Sequence, residues 1–312
     1  MLISHDLTIR PLADAGDLDL FLSLSYTLDH EVADDLASGR RRPEWMWVAL
    51  SGDRVLARLS WWNTGDSPQV LDFFDLDDTL DDPERTDIGH RLLTTAMTAV
   101  LPEGTTPPEY SRFVPPDWRA DEQARRVVEG RTAVLERTGA RLFVERLRLQ
   151  WLPGTPIPEP TGRLKFRPAG DRGALIDLMT LVLENTLDAH SVAEMATMTA
   201  RESATMMYEE EFLGFKSPRE WWTIAELDGE PVGFVIPARN NYNPIIAYIG
   251  VLPAHRGQGF IDEILAEGTR VLAANDVPRI RAATDLGNVP MARAFARAGY
   301  ENFERALTMT WN

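Results

Sequence analysis

The strongest constraint on this chain is that its sequence follows one plan twice. LTIRP at Leu7–Pro11 is matched by LKFRP at Leu164–Pro168. PEWMWVALSGDRVLARLSW, from Pro43, is matched by REWWTIAELDGEPVGFVI, from Arg219. LERTGARLFVERLRLQW, from Leu135, is matched by FARAGYENFERALTMTW, from Phe295. Three matches in the same order predict a tandem duplication, two copies of one supersecondary plan. The length of 312 residues gives each copy about the 150 residues of a domain. Between the copies runs LPGTPIPEPTGR, Leu152–Arg163, whose prolines fix the backbone and remove donors, so it reads as a linker. The expected division is therefore 1–152, a linker over 153–163, and 164–312.

Periodicity assigns elements within the second copy. Leu164–Pro168 reads as a strand. Asp171–Leu187 reads as a helix capped by Asp171, and Val192–Phe212 as a second helix. Trp221–Leu227 and Pro231–Pro237 form a hairpin about Asp228-Gly229. Ile245–Val251 is an apolar strand, Gly259–Asn275 a helix, Arg279–Thr284 a strand, Val289–Ala298 a helix and Phe303–Trp311 a last strand. The first copy repeats the order with weaker signals; Asp14–Leu28, Ile88–Val100 and Asp121–Thr138 read as its helices. The fold class is α/β (α+β), each copy a mixed central sheet flanked by helices.

Composition narrows the function classes. With 48 acidic and 32 basic residues the formal charge is −16, the wrong sign for a nucleic-acid footprint and the right one for attracting a cationic substrate. The absence of cysteine removes disulfides, thiol nucleophiles and thiolate metal sites. His5, His30, His90 and His255 show no ligand spacing, and no metal is expected. No stretch approaches the ~20 apolar residues of a membrane span, and MLISHDLTIRPL lacks the pattern of a leader; a cytoplasmic protein is expected.

The chemistry concentrates at HRGQGF, His255–Phe260. Gly257 and Gly259 allow positive φ and close approach of an anion, Arg256 adds a cation, and the turn feeds a helix whose unpaired N–H groups favour phosphate oxygens. This is a pyrophosphate cradle. The Walker form fails because no Lys-Ser or Lys-Thr follows, and the dinucleotide form fails because its third glycine position is Asp262.

VLPAHRGQGF, the order of elements, and NVPMARAFARAGY at Asn288–Tyr300 together resemble the GNAT-type N-acetyltransferases over nearly all of Leu164–Trp311. The resemblance implies an acetyl-CoA (or other short acyl-CoA) co-substrate and a small-molecule or peptide amine as acceptor. It implies that backbone groups of Ile249 and Val251, on a strand that splays from its neighbour, pair with the pantetheine arm. Amides from Gly257 through Gln258, Gly259, Phe260 and Ile261 to Asp262, with Arg256 nearby, would hold the pyrophosphate. Asn288 would bond the pantetheine, and Met291 and Phe295 would line its path. The chain departs from the family at two places: Tyr248 stands where a strand Glu is common, and Phe295 where a helix Tyr is common. Tyr248, Glu184 and His190 are the candidate catalytic residues, with Tyr208, Tyr242, Asp285 and Tyr300 behind them. Glu209, Glu210 and Glu211 read as a solvated helix end, and the strand tryptophans as packing. The departures keep a non-catalytic acyl-CoA sensor, a longer acyl-CoA and an O-acceptor open as alternatives.

The first copy differs at the cradle. Aligning DIGHRLL with GFIDEIL sets Glu84 opposite Arg256, Arg85 opposite Gly257 and Asp87 opposite Gly259. Side chains and two carboxylates would exclude the anion, so this copy is expected to lack the co-substrate.

Overall fold

The structure, a computed structural model, describes residues 7–311. Residues 1–6, which hold His5 and the start of the expected leaderless N-terminus, lie outside them. The chain forms two compact units, one of Met1–Glu145 with Arg305–Asn312, the other of Arg146–Glu304.

The first unit contains β1 (Leu7–Pro11), α1 (Leu18–Phe21), α2 (Val32–Ala37), β2 (Met46–Ser51), β3 (Arg54–Trp62), β4 (Val70–Leu76), α3 (Glu84–Val100), β5 (Glu109–Val114) and α4 (Glu122–Arg137). The strand β6 (Arg141–Trp151) begins in this unit and ends in the second. The second unit continues with β7 (Lys165–Pro168), α5 (Arg172–Val182), α6 (Ala189–Glu194), α7 (Ala200–Met206), β8 (Thr223–Leu227), β9 (Glu230–Arg239), β10 (Pro244–Val251), α8 (Phe260–Ala273), β11 (Ile280–Asp285) and α9 (Val289–Arg297). The final strand, β12 (Glu301–Thr310), starts here and returns to the first unit.

Each sheet is thereby finished by a strand from the far part of the chain. In the first unit the order is β1-β2-β3-β4-β5-β12, with Arg305–Met309 antiparallel to Tyr110–Val114. In the second it is β6-β11-β10-β9-β8-β7, with Arg146–Trp151 antiparallel to Ile280–Asp285. The compact units therefore differ from a division at the proline-rich run. That run belongs to the second unit: Ile157 packs against its core, and the Pro158 carbonyl accepts from Arg270 on α8 at 2.9 Å.

The duplication extends to an irregularity. In the β3/β4 pair the register slips between Ser60 and Trp61, leaving Asp72 extra; in β9/β10 it slips between Ile246 and Tyr248, leaving Ala247 extra. Counting from these bulges, Phe73, Phe74, Asp75 and Leu76 occupy the register of Tyr248, Ile249, Gly250 and Val251. A bulge turns the following side chains to the opposite face. Ile246 thus packs in the core under α8 while Tyr248, two residues on, joins the core under α5 and α7.

Three expected helices come out differently. Asp14–Leu28 holds a 3-10 turn, Ala15–Asp17, and the single turn of α1. Asp171–Leu187 stops at Val182, and Asn185 beyond it adopts φ +52°. Val192–Phe212 is two helices, because the segment carries two start signals. Asp188 caps α6 by accepting from the Ser191 amide at 2.9 Å, and Thr199 with Glu202 makes a reciprocal capping box for α7. Past α7 the chain widens into a π-helical turn, Met207–Glu211.

Candidate functional site

Three features of the second unit open a cavity of about 770 Å³. First, β10 and β11 pair only at Ile245 and Arg281, and then part. From Ile246 onward the β11-facing edge of β10 has no strand partner, so its backbone groups can bond an inserted chain. Second, the loop between β10 and α8 places Gly257 at φ +77° and Gly259 at φ +79°. Gly259 is the left-handed cap of α8, and a Cβ at either glycine would meet nothing within 4 Å. Their role is conformational: the two positive φ angles turn the loop so that the first amides of a 14-residue helix face outward. Third, α9 borders the same gap, starting at Asn288, whose side-chain oxygen accepts from the Met291 amide at 3.3 Å.

Most of the expected residues meet at this cavity. Ile249, Val251, Arg256, Gly257, Gly259, Phe260, Ile261, Asn288, Met291 and Phe295 line it, as do Tyr248 and His190. Gln258, Asp262 and Glu184 do not. Gln258 turns its carbonyl toward Arg163, which donates to it at 3.3 Å while stacking over the Phe260 ring at 4.5 Å. The Asp262 carboxylate is gripped by Arg297 at 2.6 Å. Glu184 is exposed, and what it contributes is its backbone carbonyl.

That carbonyl explains Arg256. Its guanidinium donates to the oxygens of Glu184 at 2.7 Å, Val182 at 2.8 Å and Val251 at 3.2 Å. It ties the C-terminal end of α5 to the end of β10, where a cation complements both the free carbonyls and the helix dipole. The arginine holds the loop in place through three backbone acceptors.

The candidate proton carriers divide by environment. Tyr248 packs against Phe234 and Phe212, ring centroids 5.5 and 6.2 Å away. Burial raises its phenol well above the ordinary range, and the carboxylates of Asp188 and Glu194 raise it further. It stays protonated at neutral pH, so it can donate a hydrogen bond but cannot take a proton. Tyr300 bonds Thr269 at 2.8 Å deep in the core and meets Phe295 edge to face. Tyr208 is buried under Trp222, and Tyr242 sits in a turn. None of these three lines the cavity. Asp285 accepts from the Ala189 amide at 2.7 Å and pairs with Arg146 at 3.0 Å, fastening β11, α6 and β6 together.

Glu211 departs from the solvated role expected of its run. Glu209 and Glu210 are exposed and lie off the cavity, but Glu211 lines it together with Met207, one turn earlier in the π-helical turn. The residue is exposed by surface area, yet its carboxyl is shifted. The direction is upward: desolvation raises it, Arg146 opposes the rise and Glu194 adds to it. Met207 and Glu211, four residues apart beside the apolar pair Tyr208 and Phe212, were the available signal.

Among the described residues no group of three metal-ligating side chains occurs, and no helix is long and apolar enough to cross a membrane.

Residues 187–300 match the model of the acetyltransferase (GNAT) family. In overall fold the chain is similar to a GCN5-related N-acetyltransferase from Sphaerobacter thermophilus. The TM-score is 0.61 and the identity 15%, over 99% of this chain and 96% of that one. It is also similar to a tandem GNAT protein from the clavulanic acid biosynthesis pathway (TM-score 0.56, identity 17%, 97% and 98% covered). A third similar structure is a GNAT-family acetyltransferase from Colwellia psychrerythraea (TM-score 0.52, identity 15%, 98% and 100% covered).

Proposed function

Since residues 187–300 match the model of the acetyltransferase (GNAT) family, we propose that the second half of the chain transfers an acetyl or other short acyl group from CoA to an amine, and that the first half binds no CoA. The observation that carries the reading is the parting of β10 from β11 directly above a glycine-turned helix N-terminus. An extended pantetheine arm needs a strand edge with free backbone groups. A diphosphate needs amides without intrahelical partners, and the gap offers both in sequence along one line.

Acyl-CoA, as the co-substrate, supplies an activated carbonyl on a thiolate leaving group. The chain's own groups do the rest. The free edge of β10 at Ile249 and Val251 orients the arm, and the outward amides from Gly257 to Ile261 hold the diphosphate. Phe295 and Met291 exclude water along the way. A backbone N–H near Val251 would face the oxyanion as it develops. Tyr248, protonated and on the same wall, is placed to donate a hydrogen bond.

Isothermal titration with CoA tests the reading. Binding to the wild type, lost in Gly257→Glu, is the expected result. Unchanged affinity in that variant would remove the cradle, and no binding of CoA or acetyl-CoA by wild type would remove the transferase.

A further inference from the structure

Resting on the acyl-transfer reading above, the geometry points to Glu211 as the proton acceptor and to a small ammonium-bearing molecule as the acyl acceptor. The far end of the cavity from the glycine loop is built by β6, α6, the π-helical turn and β10, and its charges do not cancel. Arg146 is the arginine on this wall, and it is committed: its guanidinium pairs with Asp285 at 3.0 Å and lies 3.5 Å from Asp188. Asp188 also caps α6 through the Ser191 amide and hydroxyl, both at 2.9 Å. Two carboxylates remain. Glu194 accepts from the Ser203 hydroxyl at 2.7 Å, and Glu211 has no hydrogen bond to any described residue. His190 lines the same end. The wall is therefore negative, and it selects a cation.

A second feature also points to a ligand here. Tyr248 is enclosed by Phe212, Phe234 and the α6 carboxylates, faces the cavity, and forms no side-chain hydrogen bond with any described residue. The residue is half-buried and lines the cavity, so its hydroxyl is left for whatever occupies the cavity to bond.

An amine reaches the site as an ammonium and cannot attack until it loses a proton. Glu194, held by Ser203, orients the cation. Glu211 lines the cavity with no hydrogen-bond partner among the described residues, which leaves its carboxylate able to take a proton, and desolvation with the nearby Glu194 raises it above the ordinary range. The ammonium proton passes to the Glu211 carboxylate, and the nitrogen lone pair forms a C–N bond at the thioester carbonyl carbon. The C–S bond breaks with its electron pair on sulfur, and the surplus proton on nitrogen is taken up by the thiolate through solvent.

The test uses full-length protein carrying glutamate labelled with carbon-13 at the side-chain carboxyl, with Glu211→Gln to assign the signal. Glu211 is expected to titrate above the ordinary glutamate range, and its signal and that of Glu194 to move on adding n-butylammonium chloride but not n-butanol or sodium chloride. Thiol release from acetyl-CoA with n-butylamine is expected to fall by about 100-fold in Glu211→Gln near neutral pH. The deficit should narrow as pH approaches the amine's own pKa, where the nucleophile is already neutral. Glu209→Gln, an exposed neighbour paired with Arg172, is expected to match wild type. A deficit that is constant with pH would mean a structural role and overturn the proposal. So would carboxyl signals indifferent to the amine in protein whose Gly257 and Gly259 amides respond to CoA. If those glycine amides do not respond either, the acyl-CoA reading itself has failed.

Discussion

The two halves carry the same bulge, the same parting of the strands and the same flanking helices, yet one presents a gap and the other fills it. In the first unit β4 and β5 pair only at Val70–Glu109 and Leu71–Tyr110 before they separate, as β10 and β11 do. In the second unit the separation opens the cavity. In the first it is taken up by a knot of charge. Asp75, in the register of Gly250, receives Arg58 at 2.9 Å and Arg112 at 2.9 Å, with Arg131 3.8 Å away. By the strand and helix matches, Arg112 holds the register of Thr284, and Arg131 that of Met291, two residues that line the cavity. The arginines also take the strand's own acceptors. Arg112 donates to the Phe74 carbonyl at 3.3 Å and Arg131 to that of Leu76 at 3.2 Å. Those carbonyls stand in the register of Ile249 and Val251, the backbone groups proposed to meet the pantetheine.

At the helix entrance the contrast repeats. Buried positions align Ile88, Leu92, Leu93 and Ala96 of α3 with Phe260, Ile264, Leu265 and Gly268 of α8. On that register α3 starts one turn earlier, at Glu84, and the extra turn replaces the glycine loop. Arg85, 1% exposed, falls at the register of Gly257 and is held by Asp82 at 2.8 Å and Asp78 at 3.3 Å. A groove of this kind can be closed by about four side chains with no change of topology. The difference between the halves is therefore one of side chains at matched positions, which substitutions can probe directly.

The largest effect is expected at Asp75. Replacing it by alanine takes from Arg58, Arg112 and Arg131 the carboxylate they share, leaving Arg58 only Asp29 and Arg131 only Asp78 as ion-pair partners among the described residues, at a cost of roughly 3 kcal/mol, read as a fall in the urea midpoint of the first unit. Its titration has a definite sign. Burial alone would raise the carboxyl, but Arg112, Arg58 and Arg131 outweigh burial and hold it below the ordinary range. The stabilisation is complete above the unfolded value of about 4 and is lost as pH falls through the lower native one. The penalty of Asp75→Asn, measured by urea at neutral pH, should therefore shrink in acid. A penalty independent of pH would show that the knot is not held by charge.

Next is Gly257→Glu. A side chain at φ +77° costs about 1–2 kcal/mol, and its carboxylate would repel the diphosphate proposed to bind there. We expect a loss of CoA affinity of about 100-fold, or about 2.7 kcal/mol, by calorimetry, with the thermal midpoint of the free protein shifted far less. Smaller effects separate the matching final helices. Asp121 caps α4 at 2.7 Å and Asn288 caps α9 at 3.3 Å. Each alanine variant should lose about 1 kcal/mol of stability, while only Asn288→Ala weakens CoA binding. The smallest is Tyr248→Phe. Because its phenol stays protonated, the alkaline limb of the pH–rate profile should not move, and turnover should fall no more than several-fold; a shifted limb would restore Tyr248 as a base.

Much of this was legible in the residues. The duplication, the strand order, the hairpin at Asp228-Gly229 and the glycine entrance to α8 are local patterns, and local patterns survive folding. Position along the chain could place Arg256 next to the anion site but could not say where its long side chain would go; the free carbonyls at the end of α5 decided that. Glu211 was hidden for a similar reason. A run of three glutamates looks solvated, and only the widened turn and the neighbouring Glu194 and Arg146 give the third a different environment. The charge knot was half visible: Arg85 and Asp87 stood out as wrong for an anion, whereas Asp75, Arg112 and Arg131 come from three separate elements and meet only in three dimensions.

The exchange of final strands has a consequence for how the molecule comes into being. A ribosome that has made the whole of the proline-rich run has still not made Arg305–Thr310, the edge that lies against β5. The earlier-made half must therefore wait, incompletely hydrogen-bonded, through synthesis of nearly the entire later one, and pairings so distant along the chain form slowly. Expressing either half alone, cut at the prolines, should yield an unfinished sheet prone to association, and supplying the two pieces together should rescue both.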